Sequence, residues 1–286
     1  MPPLLIRRLA AACWIGLATL WAAGCGGQPP GPALAVGATS DSETTLLAQL
    51  YAAALRYYGT PARVDVVQDP LTALDSGAVD VVPGFTGRLL QTFAPGSAAR
   101  SDKQVYQAMV GVLPEGVAAG DYSSTTEDKP VLVVTDATSK AWGSRDLAAA
   151  ARHCAGLIVG AVEGSAPPAA VGACSLPGPR RFPNETMLFE ALRAGAIDAG
   201  WASTAGREVP AGLVLLADRK PELVQAQNVV PLYRRNELGE LGLRAINELG
   251  GVLDTAALRD MRQQVASGAD PAAVAGDWLA THPLGR

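Results

Sequence analysis

Imidazoles and thiols are scarce in this chain of 286 residues, which has two histidines, four cysteines and only 5% aromatic residues. His153 and His282 are too few for a histidine triad or a zinc cluster. There is no Cys-x-x-Cys or His-x-x-x-His pair, no Gly-x-Ser-x-Gly elbow and no Walker loop. The neighbours His153 and Cys154 do not form a catalytic couple, because adjacent residues on a helix or strand point apart. The residue set therefore reads as a non-enzyme without metal or organic cofactor. Charge is sparse as well, at 17% of residues, and 23 basic against 27 acidic side chains leave a net −4. Nucleic acid as a partner is excluded on that balance. Apolar residues supply 49% of the chain, enough for a real core, and the length suits one large domain or two modest ones at roughly 100–200 residues each.

Acidic residues are missing altogether before Asp41. Arg7 and Arg8 precede an apolar run from Leu9 to Ala23, which ends in Ala22-Ala23-Gly24-Cys25. A basic start, an apolar middle and small residues before a cut are the marks of a secretory signal. The run is short for a membrane-spanning helix. With Cys25 after the cut, the segment resembles a bacterial lipoprotein signal, with Ala22 where that pattern usually has Leu. This implies residues 1–24 as signal peptide, lipidation of Cys25, and a Gly/Pro-rich tether over 25–33. The alternative is an ordinary signal with an incidental cysteine. Loss of Arg7 and Arg8 with the signal takes the net charge from −4 to −6. Cys154 and Cys174 then remain, and in an oxidising compartment two leftover cysteines pair or stay as buried thiols.

An internal repeat carries the architecture. Ala73-Leu74-Asp75-Ser76-Gly77-Ala78-Val79-Asp80 matches Ala191-Leu192-Arg193-Ala194-Gly195-Ala196-Ile197-Asp198, with Thr86 and Thr204 at the same offset. Each copy reads as a helix stopped by a left-handed glycine, followed by a turn and a small apolar strand. Asp80 and Asp198 read as turn or strand-edge residues. Strands are expected at 34–37, 64–67, 79–82, 131–134, 157–160, 197–199, 213–216 and 228–233. Helices are expected from the cap at Ser40 or Asp41 to about Tyr58, over 102–112, 238–249 and 254–266, and after Asp270 with Pro271 at the first helical position. This alternation predicts an α/β protein with mostly parallel sheets, in two similar lobes.

The stretch from Leu74 to Gly87, with Val36–Leu50, Asp218–Arg234 and Leu249–Thr255, resembles the solute receptors of ABC importers of the glycine betaine/choline/proline-betaine type. The resemblance runs from about Leu34 to Leu279. It implies a two-lobed periplasmic-binding-protein fold (type II) with a hinge of two crossing strands. Residues 34–131 with 231–286 would form one lobe and 132–230 the other. It also implies a lipid-anchored protein on the extracytoplasmic face of the cell membrane, which captures a small polar or zwitterionic solute in its cleft. That solute, a glycine betaine or choline-like osmolyte by resemblance, would pass to a permease worked by an ATPase subunit. An envelope lipoprotein that keeps the fold as a sensor or interaction module is the alternative.

In such receptors aromatic faces hold the quaternary ammonium, since a ring quadrupole attracts a cation that cannot donate hydrogen bonds. The resemblance assigns ligand contacts to Thr39, Ser40, Asp41, Ser42, Phe85, Thr86, Trp201, Ser203 and Thr204. Phe85 stands where the family has Tyr, Gly84 where it has Glu, and Ala202 where a second Tyr is expected. Each assignment has a plainer counterpart. Phe85 and Trp201 are equally core residues, and Thr39–Ser42 equally a helix cap. Arg180 and Arg181 read either as a carboxylate partner or as a solvated pair.

Overall fold

Capping groups decide where the elements begin. In the computed structural model, which describes residues 32–285, β1 (Leu34–Ala38) leads to α1 (Ser42–Tyr57), whose cap Asp41 accepts the Thr44 N–H at 2.9 Å. β2 (Ala62–Val66), α2 (Pro70–Ser76), β3 (Val81–Phe85), α3 (Thr86–Phe93), α4 (Asp102–Val110) and β4 (Val117–Ala119) follow. Then come β5 (Pro130–Thr135), α5 (Asp136–Ala141), α6 (Leu147–Arg152), β6 (Val159–Val162), β7 (Ala170–Val171) and β8 (Cys174–Ser175). β9 (Arg180–Phe182), α7 (Glu185–Arg193), β10 (Ala199–Ser203) and β11 (Leu213–Leu215) complete that set. β12 (Val229–Arg234) precedes α8 (Glu240–Val252), α9 (Thr255–Ala266) and α10 (Pro271–Thr281). The expected signal segment, Cys25 and the tether as far as Gly31 lie outside the described residues.

Two five-stranded sheets form, in the orders β2-β1-β3-β12-β4 and β9-β6-β10-β5-β11. They have the same plan. Three parallel strands are followed by one reversed strand and a fifth that runs with the first three, β12 being antiparallel to β3 and β4, and β5 antiparallel to β10 and β11. The expectation of mostly parallel sheets is corrected on this point. The reversed fourth strand of each sheet is the one entered after a passage from the other sheet, so it arrives against the direction of its neighbours. Those passages, residues 120–129 and 216–228, are irregular segments that meet in an antiparallel bridge between Glu127 and Asn228.

The repeat extends to individual hydrogen bonds. Gly77 (φ 80°) and Gly195 (φ 69°) take the left-handed conformation that glycine adopts without penalty. Beside them Ala78 N–H donates to the Ala73 carbonyl at 2.8 Å, and Ala196 N–H to the Ala191 carbonyl at 2.9 Å. Asp80 then grips β1: its carboxylate accepts the Ala35 N–H at 2.8 Å, and its own N–H donates to the Ala35 carbonyl at 2.8 Å. Asp198 grips Ile158 the same way, at 2.7 and 2.8 Å. This clasp keeps residues 78–80 out of the strand, so β3 begins at Val81 rather than at the expected Val79.

The first sheet packs against a large apolar cluster drawn from α1, α8, α9 and α10, in which Leu46, Leu47, Leu50, Tyr51, Ile246, Leu249 and Leu258 are fully buried, and against a second one around Leu74, Leu90, Val105 and Met109. The second sheet is flanked by two smaller clusters, one around Leu132, Leu147 and Trp201, the other around Leu188, Leu192 and Ile197. Cys154 and Cys174 are joined in a disulfide beside the first of these, with Cα atoms 6.3 Å apart. The short α3, α5 and α6 were not expected, since one or two turns leave too little periodicity to read. Among the described residues no helix is long and apolar enough to cross a membrane.

Candidate functional site

Both passages between the sheets are held by the repeated threonines. Thr86 N–H donates to the Asn228 carbonyl at 2.9 Å, and Asn228 N–H returns a bond to Thr86 Oγ1 at 3.1 Å. Thr204 N–H donates to the Lys129 carbonyl at 3.0 Å, and Lys129 N–H returns a bond to Thr204 Oγ1 at 3.0 Å. Each threonine thus belongs to one sheet's side and clasps the passage leading to the other. Lys129 and Asp218, both nearly buried, join the two passages by an ion pair of 2.6 Å. The Leu253 carbonyl, at the end of α8, accepts the hydroxyls of Ser123, Thr125 and Thr126. A segment rich in Ser and Thr therefore crosses with its polar groups satisfied, as buried polar groups require.

A charged cluster sits against this hinge. Asp128, 3% exposed at its side chain, receives Arg88 Nη2 at 2.6 Å and Arg262 Nη1 at 3.1 Å. The Ser203 hydroxyl, at the end of β10, donates to the same carboxylate. Glu43, in the first turn of α1, pairs with both Arg88 and Arg262, the latter at 3.1 Å. The two guanidinium carbons lie 4.6 Å (Arg88) and 5.7 Å (Arg262) from the centroid of the Phe85 ring, within the roughly 6 Å reach of a cation–π contact. Phe85 itself is 3% exposed. Arg259, one turn before Arg262 on α9, donates to the Thr204 carbonyl at 3.2 Å.

Burial opposes charge on Asp128, but the charge and hydrogen bonds of Arg262, with Arg88 and Ser203, outweigh it and hold the carboxyl below its usual range. Burial also opposes charge on Arg262, which Asp128 and Glu43 more than offset, so its guanidinium is raised. Two carboxyls nearby behave differently. Burial pushes Glu127 and Glu185 up, and for Glu185 the Arg207 N–H bond at 2.6 Å only partly compensates.

Several of the residues expected at a ligand converge here. Phe85 is the floor of the cluster, Ser203 one of its walls, and Glu43 carries the helix terminus of Thr39, Ser40, Asp41 and Ser42 to its side. Within that terminus Thr39 and Asp41 bond to each other and to Thr44, as cap groups do. Thr86 is fully buried, and it and Thr204 serve the hinge. Trp201 stands apart, 3% exposed within the core of the second sheet, where β10 pairs it with Leu132 and Ala161. Arg180 and Arg181 donate to the carbonyls of Ala196, Val162 and Ser165. Four members of the cluster, Glu43, Arg88, Asp128 and Arg262, were not singled out from sequence. They come from four distant segments and share no motif; only their mutual charge balance marks them, and only once the fold has joined them.

Residues 184–281 match the family model described as the substrate binding domain of ABC-type glycine betaine transport systems. Among solved structures, one of a glycine betaine/carnitine/choline ABC transporter is similar at 16% identity and a TM-score of 0.66, over 87% of this chain and 98% of that one. Apo YehZ from Escherichia coli is similar at 19% identity and 0.65, over 88% and 99%. A choline binding protein of an ABC transporter, in complex with choline, gives 16% and 0.52, over 88% and 89%. No curated protein sequence matches the chain. The likenesses establish the two-lobed α/β fold of type II periplasmic binding proteins. In fold over most of its length, and in sequence over 184–281, the chain resembles the substrate-binding domains of ABC-type glycine betaine transport systems.

Proposed function

We propose that this chain is the extracytoplasmic solute-binding component of an ABC importer, lipid-anchored through Cys25, which closes its lobes on a small polar or zwitterionic solute and delivers it to a permease. The glycine betaine and choline class is favoured by resemblance. The observation that carries the reading is the hinge: two bridged passages, each clasped by a repeat-related threonine, beside a cluster that draws residues from both sheets. Two bodies joined by two adjacent passages rotate about them. A solute that touches both bodies only when they meet shifts the equilibrium toward the closed form by its differential affinity.

The test is a calorimetric screen of the purified protein against glycine betaine, choline, carnitine, proline betaine and the common amino acids, with small-angle scattering on any hit. One saturable site with a smaller radius of gyration on binding is the expected result. Absence of saturable binding across the panel would overturn solute capture and leave the envelope sensor as the reading to pursue.

A further inference from the structure

The ring face that a cationic solute would use is already taken by a cation of the protein itself. Arg88 lies over Phe85 and is paired with Glu43 and Asp128. Arg262 shares these partners at longer distances and is more deeply placed: its side chain is 19% exposed, whereas that of Arg88 is 53% exposed. Arg88 also stands in the first turn of α3, where the helix dipole opposes a positive charge. It is the more exposed of the two and has solvent to swing into.

With Arg88 withdrawn, Glu43 and Asp128 would face Arg262 alone, leaving a net negative charge beside the Phe85 ring. The nearby Arg259, bonded to the Thr204 carbonyl, and Glu185, which accepts the Arg207 N–H, carry opposite charges and leave that balance unchanged. An anion entering in place of Arg88 would meet two fixed carboxylates. A quaternary ammonium would suit the ring but could donate nothing to the carboxylate oxygens that Arg88 gave up, and unsatisfied buried acceptors are costly. A guanidinium or primary ammonium satisfies both ring and carboxylates.

We propose that the Arg88 guanidinium is a tethered occupant of a cation subsite floored by Phe85 and walled by Glu43 and Asp128, and that the solute displacing it carries an N–H-bearing cation. This rests on the reading of the chain as a solute receptor and narrows its solute class. The tether competes with the solute, so the apparent affinity is reduced by the fraction of molecules in which Arg88 is seated.

Calorimetry at low ionic strength on the wild type, Arg88→Ala, Arg88→Gln and the double variant Phe85→Leu/Arg88→Ala tests this, with agmatine, L-arginine, choline and glycine betaine as probes. Agmatine or L-arginine should bind both Arg88 variants roughly tenfold or more tighter than the wild type, as removal of an internal competitor requires. Each variant should prefer that probe to choline and glycine betaine, and the double variant should lose part of the gain. Arg88→Gln keeps a polar stem and serves if Arg88→Ala folds poorly, which a thermal melt reports. Equal affinity for agmatine and L-arginine in wild type and variants would overturn the tether. Tighter binding of choline or glycine betaine by the variants would overturn the N–H requirement while leaving solute capture intact. No binding of any probe by any protein would overturn the inference, and the broad screen above then decides separately whether a solute is captured at all.

Discussion

The two lobes share a plan yet hold themselves together differently. Sheet order, glycine stops, aspartate clasps and hinge threonines recur in both. Each lobe has two apolar clusters, but the first rests α1 and the three C-terminal helices on one far larger than any in the second, whose two clusters are small and which adds the Cys154–Cys174 bond. The recurring polar contacts thus specify how the chain is threaded, and cohesion comes from whatever apolar or covalent material each lobe has. A small core gains most from a staple.

That contrast breaks most visibly at the disulfide. It closes a separation of 20 residues, worth about 3 kcal/mol in the chain-entropy picture. Replacing Cys154 and Cys174 with serine should lower unfolding free energy by about that amount. In hydrogen exchange the loss should appear in β6–β11 and leave α1 and α8–α10 as protected as before. Uniform loss across both lobes would mean that they unfold as one unit and that the contrast has no energetic content.

The charged cluster between the lobes gives the next largest effect. Asp128→Ala removes a carboxylate shared by Arg88 and Arg262. The expected cost is about 2 kcal/mol, below the roughly 3–5 kcal/mol of a fully buried pair, because Glu43 remains for both cations. Denaturant unfolding measures it. The pH dependence carries the sign. Asp128 is held below its ordinary value of 3.8, so its contribution is complete above pH 3.8 and is lost as pH falls from there toward the folded value. Glu127 and Glu185 are raised above 4.5, so acidification down to 4.5 relieves the cost of burying them charged. The wild type should therefore hold or gain stability on mild acidification and lose it below pH 3.8, and Asp128→Ala should lose less in that last range.

How far these features could be read from sequence follows from their range. The left-handed stops at Gly77 and Gly195, the caps at Asp41 and Asp270, and the helices of the tail depend on residues a few positions apart, and they stand where local pattern placed them. The pairing of β5 and β12 into the sheets as reversed strands depends on the whole topology, which alternation of elements does not encode. Phe85 was noticed for its ring, but the cations above it come from α3 and α9. Asp128 lies in an irregular passage between the sheets, where no period or motif marks it. A cluster assembled from residues 43, 88, 128 and 262 leaves no spacing to detect.

The finest difference between the halves is carried by the hinge threonines. Their paired bonds to the passages are the same, but Thr86 is fully buried, its partner Asn228 is 3% exposed, and Thr204 is half-buried and also donates its hydroxyl to the Glu127 carbonyl at 3.1 Å. Valine in place of threonine keeps the shape and deletes the acceptor. In Thr86→Val the Asn228 N–H is left without its partner where water does not reach, and the expected cost is about 2 kcal/mol. In Thr204→Val the Lys129 N–H loses the same bond, and the Glu127 carbonyl a donor, at a site only partly buried, and about 1 kcal/mol is expected. Unfolding free energies of the two single variants and the double variant measure the difference and the coupling. Equal costs would show that burial does not distinguish the two clasps, and a double variant costing much less than the sum would show that they act as one joint.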